Sequence, residues 1–490
     1  MVTLRKSKWS LAGFVILIVG VLFIVSVVGS FLLGSLSLQL ALYLLLLAGC
    51  FLILLIPIFH RLRAECFDIF EPPMWVSFLY VITYALSGLG LFFTPSQISG
   101  RWLTVALLYI TIGLLSMWFG YTFGGAGKVR RPRHPASNLL AYRSRYLARP
   151  SVILALYMLG FAARLYSIKK GLYGYVSNLS LFETSLAFQQ WLAVASMLTK
   201  IALTIAWIEI LSNKMNRLGR GLFYCLILIE VFFGLVSGMK GAVIGVLFPI
   251  VFLYYYFKRR LPWKLIGATV IVLALLIPIN ASYRDMVALG KIDTRSIASP
   301  LSGVVSATFK AFSSAQSTNL LRQDVDWFVR RFSFLHSINA IINQTPQKQP
   351  FWYGRYYWQI PALVFIPRAV WVNKPCLNYG KWFAITYLGY PQETRTSVAV
   401  TLVGDLYLNF GVVGVILGMF LLGLCFYFLY QKFRSSSSKV TLLVYTMIFP
   451  LITSHEIGLV EISVAAIRLA IITAIIGFIV YHMLGDRSKR

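Results

Sequence analysis

Apolar runs of about 20 residues, separated by short charged or turn-forming stretches, recur from the first residues of this 490-residue chain to the last. A helix of that length crosses the roughly 30 Å hydrocarbon core of a bilayer. Backbone polar groups in lipid must be satisfied within the protein, so an apolar run of this kind has to be helical. The pattern predicts an all-α polytopic membrane protein of about 12 transmembrane helices. They fall at about 10–33, 36–59, 74–93, 102–123, 151–168, 189–212, 220–237, 241–257, 262–283, 400–430, 440–455 and 461–483. Charged residues make up only 12% of the chain, about half of what a soluble domain uses to coat its surface. Arg5, Lys6 and Lys8 precede the first run as in a signal peptide. That run continues to about Gly34 with no small-residue cleavage site, so a retained anchor is expected.

Cations set the expected orientation. The stretch from Lys128 to Arg149 and the group Lys258, Arg259, Arg260 and Lys264 mark inside loops, whereas the short outer loops hold only Arg101, Lys169, Lys170 and Lys240. This bias places both termini in the cytoplasm. It also accounts for a formal charge of +30 without nucleic acid as a partner. Five scattered cysteines with no C-x-x-C spacing argue against a disulfide framework or a structural zinc.

Three regions follow: an N-terminal bundle of about nine spans at 1–283, one large outer loop at 284–398, and about three further spans at 399–490. The loop carries 13 Lys and Arg against five acidic residues, an excess that the orientation rule for short loops does not explain. Residues 325–344 fit an amphipathic helix, with Phe328, Phe332, Leu335, Ile338 and Ile342 at spacings of three and four. Asp326 four residues before Arg330 provides an intrahelical ion pair, leaving Arg331 as the better anion contact. Eleven of the 33 residues from 351 to 383 are aromatic, and prolines at 361, 367 and 375 break the stretch into short helices. Rings here suit either the membrane interface or the flat face of a sugar. Interleaved Arg355, Arg368, Lys374 and Lys381, followed by Arg395, suit a phosphate or pyrophosphate, since a guanidinium fork binds two oxygens at once.

Charges inside the spans also need partners. Lys200 and Glu230 lie at similar depth and are expected to pair, while Glu209, near a helix end, is expected to snorkel. Asp405 and Asn409 share a helix face at i and i+4. His455, Glu456 and Glu461 gather near the outer surface, with Arg468 two turns below Glu461. Acid, base and cation candidates thus collect at one depth.

The stretch Phe-Ile-Pro-Arg-Ala-Val-Trp-Val-Asn-Lys-Pro at 365–375 resembles the PR-x-x-W-x-x-KP segment of oligosaccharide repeat-unit polymerases, the O-antigen polymerase group. Similar in kind are Arg-Phe-Ser-Phe-Leu-His at 331–336, Tyr-Gly at 353–354, Gly-Asp-Leu-Tyr-Leu-Asn-Phe-Gly-Val-Val-Gly at 404–414 and Ser-Gly-Met-Lys-Gly at 237–241. The resemblance covers about residues 237–420. It implies a bacterial inner-membrane glycosyltransferase acting in the periplasm on undecaprenyl-pyrophosphate-linked oligosaccharides. A flippase and a chain-length regulator would be its partners, and it would need no cofactor or metal. Arg368 and Lys374, then Arg284, Arg331 and Arg395, are the implied phosphate contacts. Trp371, Tyr379, Tyr407 and Asn409 are candidates for the glycan. His336 and Asp405 lead the base candidates, ahead of His455 and Glu456, although His336 stands where the group often carries an acid. The rival readings are an O-antigen ligase, a flippase or transporter of lipid-linked sugars, and a membrane subunit without catalysis.

Overall fold

The structure is a computed structural model that describes residues 38–63, 67–86, 100–125, 146–170, 186–269, 334–392 and 397–487, apart from isolated positions. The first predicted span, most of the ninth and the loop from 284 to 333 lie outside the described residues. Within them the regular elements are helices, save for one pairing of two-residue strands. In chain order the helices are α1 (Leu38–Arg63), α2 (Pro72–Tyr80, continued by a π turn at Val81–Leu86), α3 (Gly100–Gly124), α4 (Pro150–Lys169), α5 (Leu186–Leu211), α6 (Arg217–Val236) and α7 (Lys240–Lys258). Three short helices follow, α8 (Leu335–Gln344), α9 (Ile360–Phe365) and α10 (Gly380–Leu388). The chain then closes with α11 (Leu402–Ser435), α12 (Lys439–Ile452) and α13 (Leu459–Phe478). Eight of these helices are long and apolar enough to cross a membrane, and α12 is apolar but has only 14 residues.

Local chemistry sets the helix ends. Pro72 and Pro150 open α2 and α4 at positions where no intrahelical N–H is needed. Asn216, Thr401 and Ser438 cap α6, α11 and α12, each accepting a backbone N–H two or three residues on. α3 and α11 pack with their backbones in contact. A methyl group at Gly423 would lie 1.9 Å from the Met117 carbonyl oxygen, and one at Gly120 would lie 2.0 Å from that of Phe420. Small residues let the two backbones touch, which replaces the hydrophobic drive that lipid withholds.

α11 runs the length of the bundle and defines two ends. At its far end Asp68 accepts hydrogen bonds from Tyr256 (2.7 Å) and Tyr430 (2.6 Å). Three residues on, Glu71 accepts from Tyr121 (2.5 Å) and pairs with Arg61 (2.5 Å). Phe70, Phe252, Phe433, Tyr445 and Phe449 pack around them, Phe433 stacking on Tyr445 at 4.1 Å.

Two expectations, one pairing and one snorkelling carboxylate, are corrected here. Glu230 does not pair with Lys200. Its carboxylate accepts from both terminal nitrogens of Arg164 (2.5 and 2.9 Å) and from Tyr157 (3.1 Å), while Thr199 also receives an Arg164 bond (2.6 Å). A guanidinium fork satisfies both oxygens at once and outcompetes a single ammonium. Lys200 instead lines a small pocket with Thr204, Trp207 and Gly245. Glu209 does not snorkel either: it is buried and bound to Lys439 at 2.7 Å. Tyr146–Leu147 pairs antiparallel with Asp486–Arg487, so the segment before α4 and the C-terminal segment meet at one place.

Candidate functional site

The other end of α11, where Asp405 lies, is built on a break in that helix. Phe410 and Gly411 leave helical geometry, Gly411 at φ +61°, a region that suits glycine. The break strips the Leu408 and Asn409 carbonyls of their helical donors, and buried backbone acceptors need partners. Residues 351–354 supply them. Trp352 N–H donates to Leu408 O (3.0 Å), Tyr353 N–H to Asn409 O (3.1 Å) and Gly354 N–H to the Asn409 side-chain oxygen (3.1 Å). The aromatic stretch is thereby fastened across the start of α11. Beneath it, α8 buries Leu335, Ile338, Ile341 and Ile342, confirming the described half of the expected amphipathic helix; Phe328, Phe332 and Asp326 lie outside the described residues.

Asp405 ties three elements together. One oxygen accepts from the Tyr357 hydroxyl (3.0 Å) and from the N–H of Leu459 at the start of α13 (2.9 Å), and the other accepts from Asn409 (3.2 Å). The side chain is fully enclosed, and a methyl group at Gly458 would lie 2.9 Å from its carboxyl carbon. The i, i+4 spacing of Asp405 and Asn409 thus serves as expected to place both on one face. The strand-like contact of Thr401 and Leu402 with the Glu456 and His455 carbonyls (3.2 and 3.0 Å) brings the 455–458 turn alongside. Thr401 takes φ +68° and Tyr353 φ +49°, conformations that non-glycine residues adopt at a cost of about 1–3 kcal/mol each and that gather at functional sites.

The cations of the 365–375 motif meet at the end of α9. Its last carbonyls have no helical donors. Lys374 donates to Leu363 O (2.7 Å) and Ile366 O (2.5 Å), and Arg468, reaching from α13, donates to Leu363 O and to Val364 O (3.2 Å). Arg368 forks onto the carbonyls of Lys374 (2.7 Å) and Pro375 (3.0 Å). The Pro-Arg and Lys-Pro halves of the motif therefore clasp each other. Three cations crowd one spot, and burial together with the Arg468 and Arg368 guanidiniums pushes the Lys374 ammonium down to about 8. Trp358, Phe365 and Val370 stand well exposed beside them.

The remaining sequence candidates separate by position. Tyr379 belongs to an aromatic floor, stacked on Tyr356 (5.8 Å) and edge-on to Trp352 (5.3 Å), which also meets Trp382 (4.7 Å). Trp371 packs into the apolar cluster of Leu363, Val364, Val460 and Val464, and Tyr407 stacks on Tyr109 of α3; both are occupied in packing. His455 is enclosed by Tyr80, Tyr84 and Phe334, neither ring nitrogen has a partner, and burial holds its pKa down to about 4. His336 is half-buried, its Nδ1 has no partner, and burial lowers its pKa too. Glu456 is exposed. Arg284, Arg331 and Arg395 lie outside the described residues. Sequence reading did not single out Tyr357, one aromatic among eleven, nor the reach of Arg468 to α9, which depends on how α13 is turned.

Compared with known proteins, the chain matches one family model, described as Domain of unknown function (DUF8712), over residues 163–475. The match begins beside Arg164 and includes α5 to α12 and most of α13. No curated protein and no solved structure matches significantly.

Proposed function

The chain belongs to the DUF8712 family, and we propose that it polymerises lipid-linked oligosaccharides. In this reading it works at the periplasmic face of a bacterial inner membrane, with both termini in the cytoplasm. It transfers a growing glycan from undecaprenyl pyrophosphate to the outer sugar of a lipid-linked repeat unit, in O-antigen or exopolysaccharide synthesis.

The observation that carries the reading is the crowding of Arg368, Lys374 and Arg468 around the end of α9. Like charges this close disfavour one another, and a pyrophosphate would relieve the strain while its negative charge grows as the glycosidic bond breaks. Exposed Trp358, Phe365 and Val370 beside the cations suit the polyprenyl tail that carries such a headgroup. The floor of Trp352, Tyr356 and Tyr379 offers ring faces to sugars.

The test is the glycan ladder of a strain lacking the gene, restored with the wild type or with Arg368→Ala. A single repeat unit on the acceptor, extended to a ladder only by the wild type, supports the polymerase. Total loss of surface glycan with lipid-linked chains accumulating would replace it with a ligase or a flippase. An unchanged ladder in the deletion strain would remove glycan assembly altogether.

A further inference from the structure

Several polar groups at the Asp405 end lack partners, and two of them bear on the acceptor sugar. Glu461 opens α13, half-buried, and its carboxylate makes no hydrogen bond or ion pair with the described residues. The Tyr379 hydroxyl is buried without a partner. Tyr379 stacks on Tyr356, which packs against the cluster holding Val460 and Val464 beside Glu461 on α13, so the two face the same end of that helix. A buried hydroxyl is almost always paired, so the unpartnered Tyr379 hydroxyl, with an unpaired carboxylate on the facing helix, marks where a polar ligand completes the set. Asp405 cannot fill that role, because it is enclosed and both of its oxygens already accept protein donors.

We propose that Glu461 accepts the proton of the attacking sugar hydroxyl, that the Tyr379 hydroxyl holds the same sugar, and that Asp405 positions the turn from which α13 starts. This rests on the polymerase reading above. In the step, the acceptor hydroxyl oxygen bonds to the donor's anomeric carbon, and the bond from that carbon to the pyrophosphate oxygen breaks. The pyrophosphate leaves with the electron pair, and the hydroxyl proton passes to the Glu461 carboxylate. Spacing along α13 agrees. Glu461 and Arg468 are seven residues apart, two turns on one face, so about 10 Å along the axis. Arg468 turns back to the Leu363 and Val364 carbonyls. A single sugar ring fits between a base at Glu461 and a pyrophosphate at the cations. Tyr379 stands on the ring floor where that sugar would lie.

The experiment uses the full chain in lipid nanodiscs with a polyprenyl-pyrophosphate-linked repeat unit, measuring turnover against pH and substrate binding separately. Glu461→Gln should lower turnover about 10²- to 10⁴-fold, leave binding unchanged and remove the acidic limb of the pH profile. Tyr379→Phe should lower turnover about tenfold, as expected for one hydrogen bond. Wild-type turnover and an unchanged acidic limb in Glu461→Gln would overturn the assignment while leaving the polymerase standing. An inactive wild type that binds the substrate would instead sink the polymerase reading. Should Glu461→Gln insert poorly, Glu461→Asp decides. A base drawn back by one methylene loses turnover with the protein stable, whereas a merely structural carboxylate keeps it.

Discussion

The two ends of α11 hold similar residue types in opposite states. At the Asp68 end, every oxygen of Asp68 and Glu71 accepts a bond, from Phe70 N–H, Tyr256, Tyr430, Tyr121 and Arg61. Among the described residues toward that end, the Tyr445 hydroxyl and one oxygen of Glu209 have no partner. At the Asp405 end, orphan atoms gather on His336, Asn339, Gln359, Tyr379 and His455. Two of the three non-glycine residues at positive φ among the described residues, Tyr353 and Thr401, lie there too. A saturated network fixes a fold; an unsaturated and strained one keeps capacity for a ligand. The first end is built for stability, and the second has the open polar groups that the proposed function would use.

Substitutions can break that assignment. The largest effect should come from Arg61→Met, which strands the buried Glu71 carboxylate and should cost about 3–5 kcal/mol, read as a lowered unfolding temperature in detergent. A loss below about 1 kcal/mol would show that the Asp68 end is not the stabilising one. Next is acid. His455 is held neutral in the fold, with a pKa near 4 against an unfolded value of about 6.5. Its contribution is therefore complete above about pH 6.5 and is lost as the pH falls toward 4, about 3 kcal/mol in total. His455→Phe should flatten the stability profile across that window; an unaltered acid slope would place the sensitive group elsewhere.

Smaller effects sharpen the contrast. Asp405→Asn keeps the shape and weakens bonds from Tyr357 and Leu459, so stability should fall by about 1.5–3 kcal/mol while turnover falls more steeply, because the start of α13 shifts. A stability loss with full turnover would detach Asp405 from the site. The smallest effect concerns the middle of the bundle. A double-mutant cycle of Lys200→Met with Glu230→Gln should show coupling below about 1 kcal/mol, through charge alone, since Glu230 spends its hydrogen bonds on Arg164 and Tyr157. Arg164→Met with Glu230→Gln should couple by more than about 1 kcal/mol.

Much of the helical outline is legible in the chain because it is written along one dimension. Run length, flanking cations, Pro72 and Pro150 at helix starts and capping Asn216 all act locally, and the described spans fall where hydropathy places them. The short helices α9 and α10 follow from prolines and aromatics in the same way. Position along the spans is readable too, and the turn that carries His455 and Glu456 does meet the start of α11 beside Asp405. What tertiary structure alone decided is which face of each helix meets which neighbour. Lys200 and Glu230 share a depth, but Arg164 on α4 is the side chain that reaches Glu230. Arg368 and Lys374 were legible as cations, yet only the packed loop turns them onto carbonyls and adds Arg468 from another helix. Hydropathy locates a span along the chain, and so the order of residues within it. The rotation of a helix about its own axis is set by the shapes of its neighbours, and close fits such as Gly423 against Met117 are settled only when the helices meet.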